Sequence, residues 1–330
     1  MSQLPPTRVT PSRPYFTSGV DYDGPLTIKT WKGRGAKKQK GWLCIFVCFV
    51  TSAVHLEALS DYTTDSFLAA FRRFTGRRGI CNTLYSDCGT NFIGADATLK
   101  KLFTQGTQEL NALCCSLTND GTTCKFNPPA APHMEGKWEA PVKSVKYHLN
   151  RTVGEAALTY EELITLLIPI EAVLNSRPLV PLSDDPDDVA ALTPAYFLIV
   201  EPITTVLEPS LTYTAQTRLS RWQFIQQRLQ YFWSRWSAQY LQRHLSTSKW
   251  HHPSHEIKIG SLVLITDERL PPSKWPLARV TQLHPGKDQL TRVVSLRTAT
   301  TTLVRPITKL AILPVPVTEE LINRDQQYSC

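Results

Sequence analysis

Apolar positions along the chain come first in short runs at strand spacing, then in stripes at helical spacing, then in strand-like runs again. Residues 15 to 30 read as a first strand. Gly41 to Leu56 reads as two more, the first a continuous apolar run of the kind expected where both faces of a strand are buried. From Thr63 the period changes. Phe67, Ala70, Phe71 and Phe74 recur at three- and four-residue spacing, with Thr64 or Asp65 as cap. Arg72, Arg73, Arg77 and Arg78 make a basic end before Gly79, where cations suit a helix C-terminus. Ile80 to Tyr85 is a fourth strand. Phe92 to Leu102 and Gln108 to Ser116 read as helices, Thr122 to Phe126 as a short fifth strand, and Asn127 to His133 as a Pro-rich loop. A proline is tolerated in the first helical turn and costs about 3 kcal/mol further in. Pro141 therefore puts the start of the next helix near Lys137 to Glu139.

Thr159 to Asn175 is strongly helical, with Leu163, Leu166, Leu167, Ile170 and Leu174 as its apolar stripe and Thr159-x-x-Glu162 as a capping box. Pro178 to Pro186 is a Pro/Asp-rich loop, and residues 200 to 213 read as a linker. Thr217 to His244 reads as one long helix whose Trp222, Ile225, Leu229, Trp233, Trp236 and Tyr240 form a packing face, against another helix or another protomer. Short alternating strands follow at 257–265, 277–283, 290–296 and 301–304, the pattern of a small barrel. These shifts divide the chain into a Pro-rich linker at 1–14, an α/β core at 15–200, a linker with the long amphipathic helix at 201–255, a small β-barrel at 256–315, and a tail at 316–330.

Composition narrows the partners. A net charge of +8 and a pI near 9.1 over 330 residues favour an acidic polymer, nucleic acid first, over the blander reading of an ordinary basic protein. The hairpin tip Lys29 to Lys40 is basic and Gly-containing, either a solvated turn or a phosphate contact. The eight cysteines form no Cys-x-x-Cys pair, and His251, His252 and His255 lack paired cysteines beside them, so no structural zinc is expected. The apolar run from Trp42 to Val50 is far short of the roughly 20 residues a membrane helix needs, so no membrane partner is expected.

The chemistry is carried by carboxylates. Asp87 stands where a buried strand opens into a Gly turn, a place that alone suits a turn initiator. Asp21 lies in the first strand and Glu139 near the start of a helix. Three carboxylates on separate buried elements converge only if a cation offsets their repulsion, which points to Mg²⁺ and phosphoryl transfer. Asp23 would share the face of Asp21, and Glu135 competes with Glu139 for the third place. Lys143 and Lys146 follow Glu139 at i+4 and i+7, on the same face. They are either phosphate contacts or ion-pair partners on a solvated face.

Six segments in this order resemble the integrases of LTR retrotransposons, most closely the BEL/Pao group: Gly19-Val-Asp-Tyr-Asp-Gly-Pro25, Ala53-Val-His-Leu-Glu57, Arg73-Phe-Thr-Gly-Arg-Arg-Gly79, Tyr85-Ser-Asp-Cys-Gly-Thr-Asn-Phe92, Trp138-Glu-Ala-Pro-Val-Lys-Ser-Val-Lys146 and Leu174-Asn-Ser-Arg-Pro-Leu179. The resemblance runs over about residues 5 to 315. It implies an RNase H-like α/β core, a five-stranded mixed sheet whose first three strands form an antiparallel meander, flanked by helices and followed by a long helix and a small SH3-like β-barrel. It implies two Mg²⁺ (or Mn²⁺) ions held by Asp21, Asp87 and Glu139, which would catalyse 3′-end processing and DNA strand transfer. Lys143 and Lys146 would touch the DNA end and Thr90 target DNA. In the barrel, Lys287, Arg292, Arg297, Arg305 and Lys309 are candidates for backbone contact. The implied partners are retrotransposon DNA ends, target DNA and further copies of the chain. The implied location is the nucleus after synthesis in the cytoplasm, with a polyprotein origin open.

Two positions depart from the family pattern: Cys88 stands where Asn is usual and Ser52 where Arg is common. The upstream His/Cys zinc module of the family is absent from this sequence. A second reading follows, a domesticated or truncated derivative that binds DNA or self-associates without catalysis.

Overall fold

The computed structural model describes residues 10–86, 122–126, 132–153, 157–185, 187–201, 208–246, 257–266 and 270–313. They form two compact units, one drawn from Met1–Asn175, Phe197–Val200 and Pro209–Trp233, the other from Ser176–Tyr196, Glu201–Glu208 and Ser234–Cys330. The apolar run that begins at Trp42 becomes a central part of the first unit's sheet. Strands β1 (Thr17–Lys29), β2 (Lys38–Cys48) and β3 (Val54–Leu59) make the expected antiparallel meander. β4 (Thr83–Ser86) and β5 (Thr123–Phe126) add in parallel, giving the order β3-β2-β1-β4-β5. A sixth strand, β6 (Leu158–Thr159), pairs with Ile28 and Lys29 at the far end of β1. It is too short to leave a period in the sequence.

Alternation along β2 and along β1 as far as Asp23, where the register shifts, sends even-numbered side chains to one face and odd-numbered ones to the other. Val20, Tyr22, Cys44, Phe46 and Cys48 pack with Phe67, Ala70, Phe71 and Phe74 of α1 (Thr64–Arg78). The rings of Phe46 and Phe74 stack at 4.2 Å, and Tyr15 meets Phe74 edge-on at 5.3 Å. The cap of α1 is Thr63, one residue before the expected pair. Its backbone is extended and its Oγ1 accepts the Ser66 N–H at 3.2 Å, while Thr64 and Asp65 already belong to the helix.

Asp21 and Asp23 point to the opposite face, beneath α2 (Pro132–Val153). This helix starts earlier than Pro141 led one to expect. Pro132 occupies the first helical position, where a missing N–H costs nothing, and Pro141 lies inside the helix. Residues 132 and 133, read as loop, are therefore helical, and so is Glu135. α3 (Tyr160–Asn175) begins with the expected capping box: the Glu162 N–H donates to Thr159 Oγ1 at 3.3 Å and the Thr159 N–H to Glu162 Oε2 at 2.9 Å. Its stripe Leu163, Leu166, Leu167, Ile170 and Leu174 is buried.

The long helix α4 runs Arg221–Ser246, later than the expected Thr217. A second capping box sets its start, with the Ser220 N–H donating to Gln223 Oε1 at 2.9 Å and the Gln223 N–H to Ser220 Oγ at 3.2 Å. Ile225, Trp233 and Trp236 of its stripe are buried as expected, whereas Trp222 is 56% exposed. Phe232, outside the stripe, is fully buried against His148 of α2.

In the second unit β7 (Val180–Pro181) pairs with β8 (Ala191–Leu192). A separate antiparallel sheet follows: β9 (Leu262–Ile265), β10 (Leu277–Pro285), β11 (Thr291–Arg297), β12 (Thr302–Pro306) and β13 (Leu310–Ile312), in the order β12-β11-β10-β9-β13. The last is a strand the spacing did not show. β9 is buried on both faces, Val263 and Ile265 in one cluster, Leu262 and Leu264 in another. The two expected helices at 92–102 and 108–116 lie outside the described residues. Among the described residues no helix is long and apolar enough to cross a membrane.

Candidate active site

The edge of β1 that faces β4 is only partly occupied. β4 covers its start, with Tyr85 opposite Gly19, and β6 covers its far end. Between them, among the described residues, no strand pairs with β1 on this edge, and Asp21 and Asp23 lie in that stretch. The Lys146 ammonium donates to Asp21 Oδ2 at 2.6 Å across 125 residues of sequence. Asp21 Oδ1 accepts the Tyr22 N–H at 2.7 Å. Asp23 is buried. Its Oδ1 accepts from the Asn150 amide at 3.1 Å and its Oδ2 has no hydrogen-bond partner among the described residues. Burial pushes the Asp23 carboxyl above its ordinary range, against the lowering effect of Asn150 and of the Lys146 charge.

The match is two by two. Asp21 and Asp23, two apart on a strand, face Lys146 and Asn150, one turn apart on α2. Helical register puts Lys143 and Glu139 further up the same stripe, Glu139 two turns before Lys146. Lys143 is exposed. The side chains of Glu135 and Glu139 lie outside the described residues. So do Asp87, Cys88 and Thr90. The last described residue of β4, Ser86, ends at the level of Val20, because Tyr85 is opposite Gly19. Of the sequence-derived site, then, the structure brings Asp21 and Lys146 into contact, adds Asp23 with Asn150, and puts Glu139 on the helix above them.

Aspartate oxygens are the hard donors that Mg²⁺ prefers. An unpartnered Asp23 oxygen and a lysine ammonium seated on Asp21 mark a place short of positive charge, so the residues present fit a divalent cation. Among the described residues no three His, Cys, Asp or Glu side chains form a complete metal site.

A second polar cluster lies behind β3. His55 is buried, with Nε2 3.0 Å from Glu57 Oε1 and Nδ1 3.1 Å from Glu171 Oε2. Both partners are acceptors, so both ring nitrogens donate and the ring is an imidazolium. Burial alone would lower the His55 pKa, but the hydrogen bonds to Glu171 and Glu57 outweigh it and the net direction is up. Burial likewise works to raise Glu57 and Glu171. Bonds from His55, with Arg73 for Glu57 and the Leu56 N–H and Arg78 charge for Glu171, hold both carboxyls below the ordinary range. Arg73 Nε and Arg77 Nη2 each donate to Glu57 at 2.7 Å, and Arg78 pairs with Glu171. Three of the four arginines read as helix-terminal cations, Arg73, Arg77 and Arg78, are thus counter-ions to the buried Glu57 and the partly buried Glu171. In the sequence His55 and Glu57 stood only as part of the segment Ala53-Val-His-Leu-Glu57, with no role of their own. The signal available was a His and a Glu two apart on one strand face, just before an Arg-rich helix end.

Residues 220–313 match the model of a family of unknown function (DUF5641). No curated protein matches the chain. Among solved structures, one chain of the cryo-electron-microscopy structure of the simian T-cell lymphotropic virus intasome in complex with PP2A regulatory subunit B56 gamma superposes with a TM-score of 0.37 at 12% identity. The overlap covers 96% of this chain and 85% of that one. An overlap this loose leaves the site to be judged on its own residues.

Proposed function

We propose that the chain is an integrase-type polynucleotidyl transferase of the BEL/Pao kind, acting on DNA ends and target DNA. The observation that carries this reading is the pairing of Asp21 and Asp23 with Lys146 and Asn150: two carboxylates in an open stretch of the central strand, under the helix that bears Glu139. The sheet order, an antiparallel meander followed by parallel β4 and β5, supports an RNase H-like core. The antiparallel sheet of the second unit is the counterpart of the SH3-like module.

In this reading Asp21, Asp87 and Glu139 hold two Mg²⁺ or Mn²⁺ ions. Bound there, the metal would lower the pKa of a water or a DNA 3′-hydroxyl and stabilise the leaving 3′-oxygen. Lys146 neutralises Asp21 in the free protein and, with Lys143, meets the phosphates of the DNA end. Thr90 meets target DNA. The chemistry requires no covalent protein–DNA intermediate, hence no activated Ser, Cys or Tyr. Copies of the chain act together, in the nucleus.

The test is Mg²⁺-dependent strand transfer on a labelled branched DNA that mimics the integration product, which demands least of the parts outside the core. Wild type is compared with Asp21→Asn, Asp87→Asn and Glu139→Gln. Each substitution should lower the rate by at least about 100-fold, the scale set by losing one preorganised electrostatic group. Full activity in Asp21→Asn, or an inactive but folded wild type, overturns the reading. The second case would favour a derivative that binds DNA without catalysis.

A further inference from the structure

The β1–β2 hairpin extends past Asp23, away from the carboxylates. We propose that it is a DNA-backbone arm, gripping duplex phosphates outside the reaction centre. The proposal rests on DNA being the substrate.

From Gly24 to Leu56 the sequence contains no carboxylate, yet it carries Lys29, Lys32, Arg34, Lys37, Lys38 and Lys40, all at or beside the hairpin tip. All but Lys29 are exposed. Lys32 meets Glu161 at 3.1 Å, but this pair is open to water and worth little. An unopposed run of cations is ordinarily just a solvated face. Here the backbone beneath it is braced on both edges. Leu26 to Lys29 pairs with Lys38 to Gly41, the Thr30 N–H donates to the Lys37 carbonyl at 3.0 Å, and on the other edge Ile28 and Lys29 pair with Leu158 and Thr159. β6 is in turn tied to the capping box of α3.

The tip itself is ordered by an aromatic ring. A Cβ on Gly33 would fall 1.6 Å from Trp31 Cζ3, so the indole lies directly on the turn backbone while remaining 55% exposed. A braced strand presents its cations with little left to freeze on binding. With a rise of about 3.4 Å per residue, Lys38 and Lys40, two residues apart on one face, stand about 6.8 Å apart and suit neighbouring phosphates, whose separation along the winding backbone exceeds their axial rise. Nothing in this arrangement reads bases, so the grip is independent of sequence.

The experiment measures binding of the full chain to a fluorescein-labelled duplex of arbitrary sequence over a range of KCl concentrations. Wild type, the triple variant Lys37→Gln/Lys38→Gln/Lys40→Gln and a control in the second unit, Lys258→Gln/Lys274→Gln, are compared, with thermal melts to show that each is folded. Each phosphate contact contributes about 0.9 to the slope of log K against log salt, so the triple variant should lose about 2 to 3 from it, the control less than 1. Equal losses per charge removed at the two places would reveal a general effect of net charge and overturn the proposal. An unchanged slope in the triple variant, or no salt-dependent binding by wild type, does the same. Strand transfer read on the same samples keeps the two ideas separate. A wild type that grips DNA through the hairpin but transfers no strand overturns the integrase reading and leaves the arm standing.

Discussion

At the scale of single residues, His55 has the most measurable consequences. Its folded pKa is raised, so its contribution to stability is complete below the unfolded value of 6.5 and is lost as pH rises through the folded value. Glu57 and Glu171 are lowered, so theirs is complete above 4.5 and is lost as pH falls through the folded values. The cluster is at full strength between those limits, and wild type should melt at a lower temperature at about pH 8 than at about pH 6. His55→Gln removes the imidazolium from between the buried Glu57 and the partly buried Glu171 and should cost about 2–4 kcal/mol by urea titration at about pH 6. In that variant the alkaline decline should flatten. A wild-type decline that persists unchanged in His55→Gln would assign the effect elsewhere. Asp21 and Lys146 were each legible singly, Asp21 through the resemblance to integrases and Lys146 through its place two turns after Glu139, but their contact across 125 residues was not. Asp23 was legible only as a spare ligand, because the amide that holds it, Asn150, is 127 residues away and no period connects them.

At the scale of elements, the side chains that close the outer edge of β3 matter most. Asn175 accepts the Val54 N–H and donates to the Val54 carbonyl, both at 2.8 Å. Glu171, one turn earlier on α3, accepts the Leu56 N–H at 2.9 Å. The Ala58 carbonyl receives Arg73 at 3.0 Å and the Tyr160 hydroxyl at 2.9 Å. A side chain thus meets a backbone group at every second residue of the strand, Val54, Leu56 and Ala58. Asn175→Ala leaves two buried backbone groups unpaired and should cost about 2–4 kcal/mol in a denaturant titration. Asn175→Asp should cost a comparable amount, since a carboxylate cannot donate to the Val54 carbonyl. The motif around Asn175 was visible in the sequence but its task was not, since Val54 is 121 residues away. Helix starts were the least legible feature. Pro141 misdirected one because Pro132 had already taken the first turn, and the start of α4 was missed because Ser220 and Gln223 were not read as a capping box. Ser220→Ala should cost about 1 kcal/mol, measured the same way.

At the scale of the whole molecule, the strands of the first unit were legible as apolar runs and turns, whereas their joining in one mixed sheet with an antiparallel meander was expected only from the resemblance to integrases. β6 and β13 are too short to carry a pattern, and nothing in the sequence showed that the second unit buries β9 on both faces. The closed edge of β3 also has a consequence for how copies of this chain meet. An open strand edge is a template, and any other extended chain, including a second copy, can extend it. Here Asn175, Glu171, Arg73 and Tyr160 occupy that template, so a second copy of the chain cannot extend the sheet at β3. Asn175 and Glu171 both sit on α3. If that helix lifts from the sheet, most of the protection goes with it while the strands remain paired. A species that opens this edge is therefore nearly native, and conditions that loosen α3 would expose β3 to open-ended strand addition.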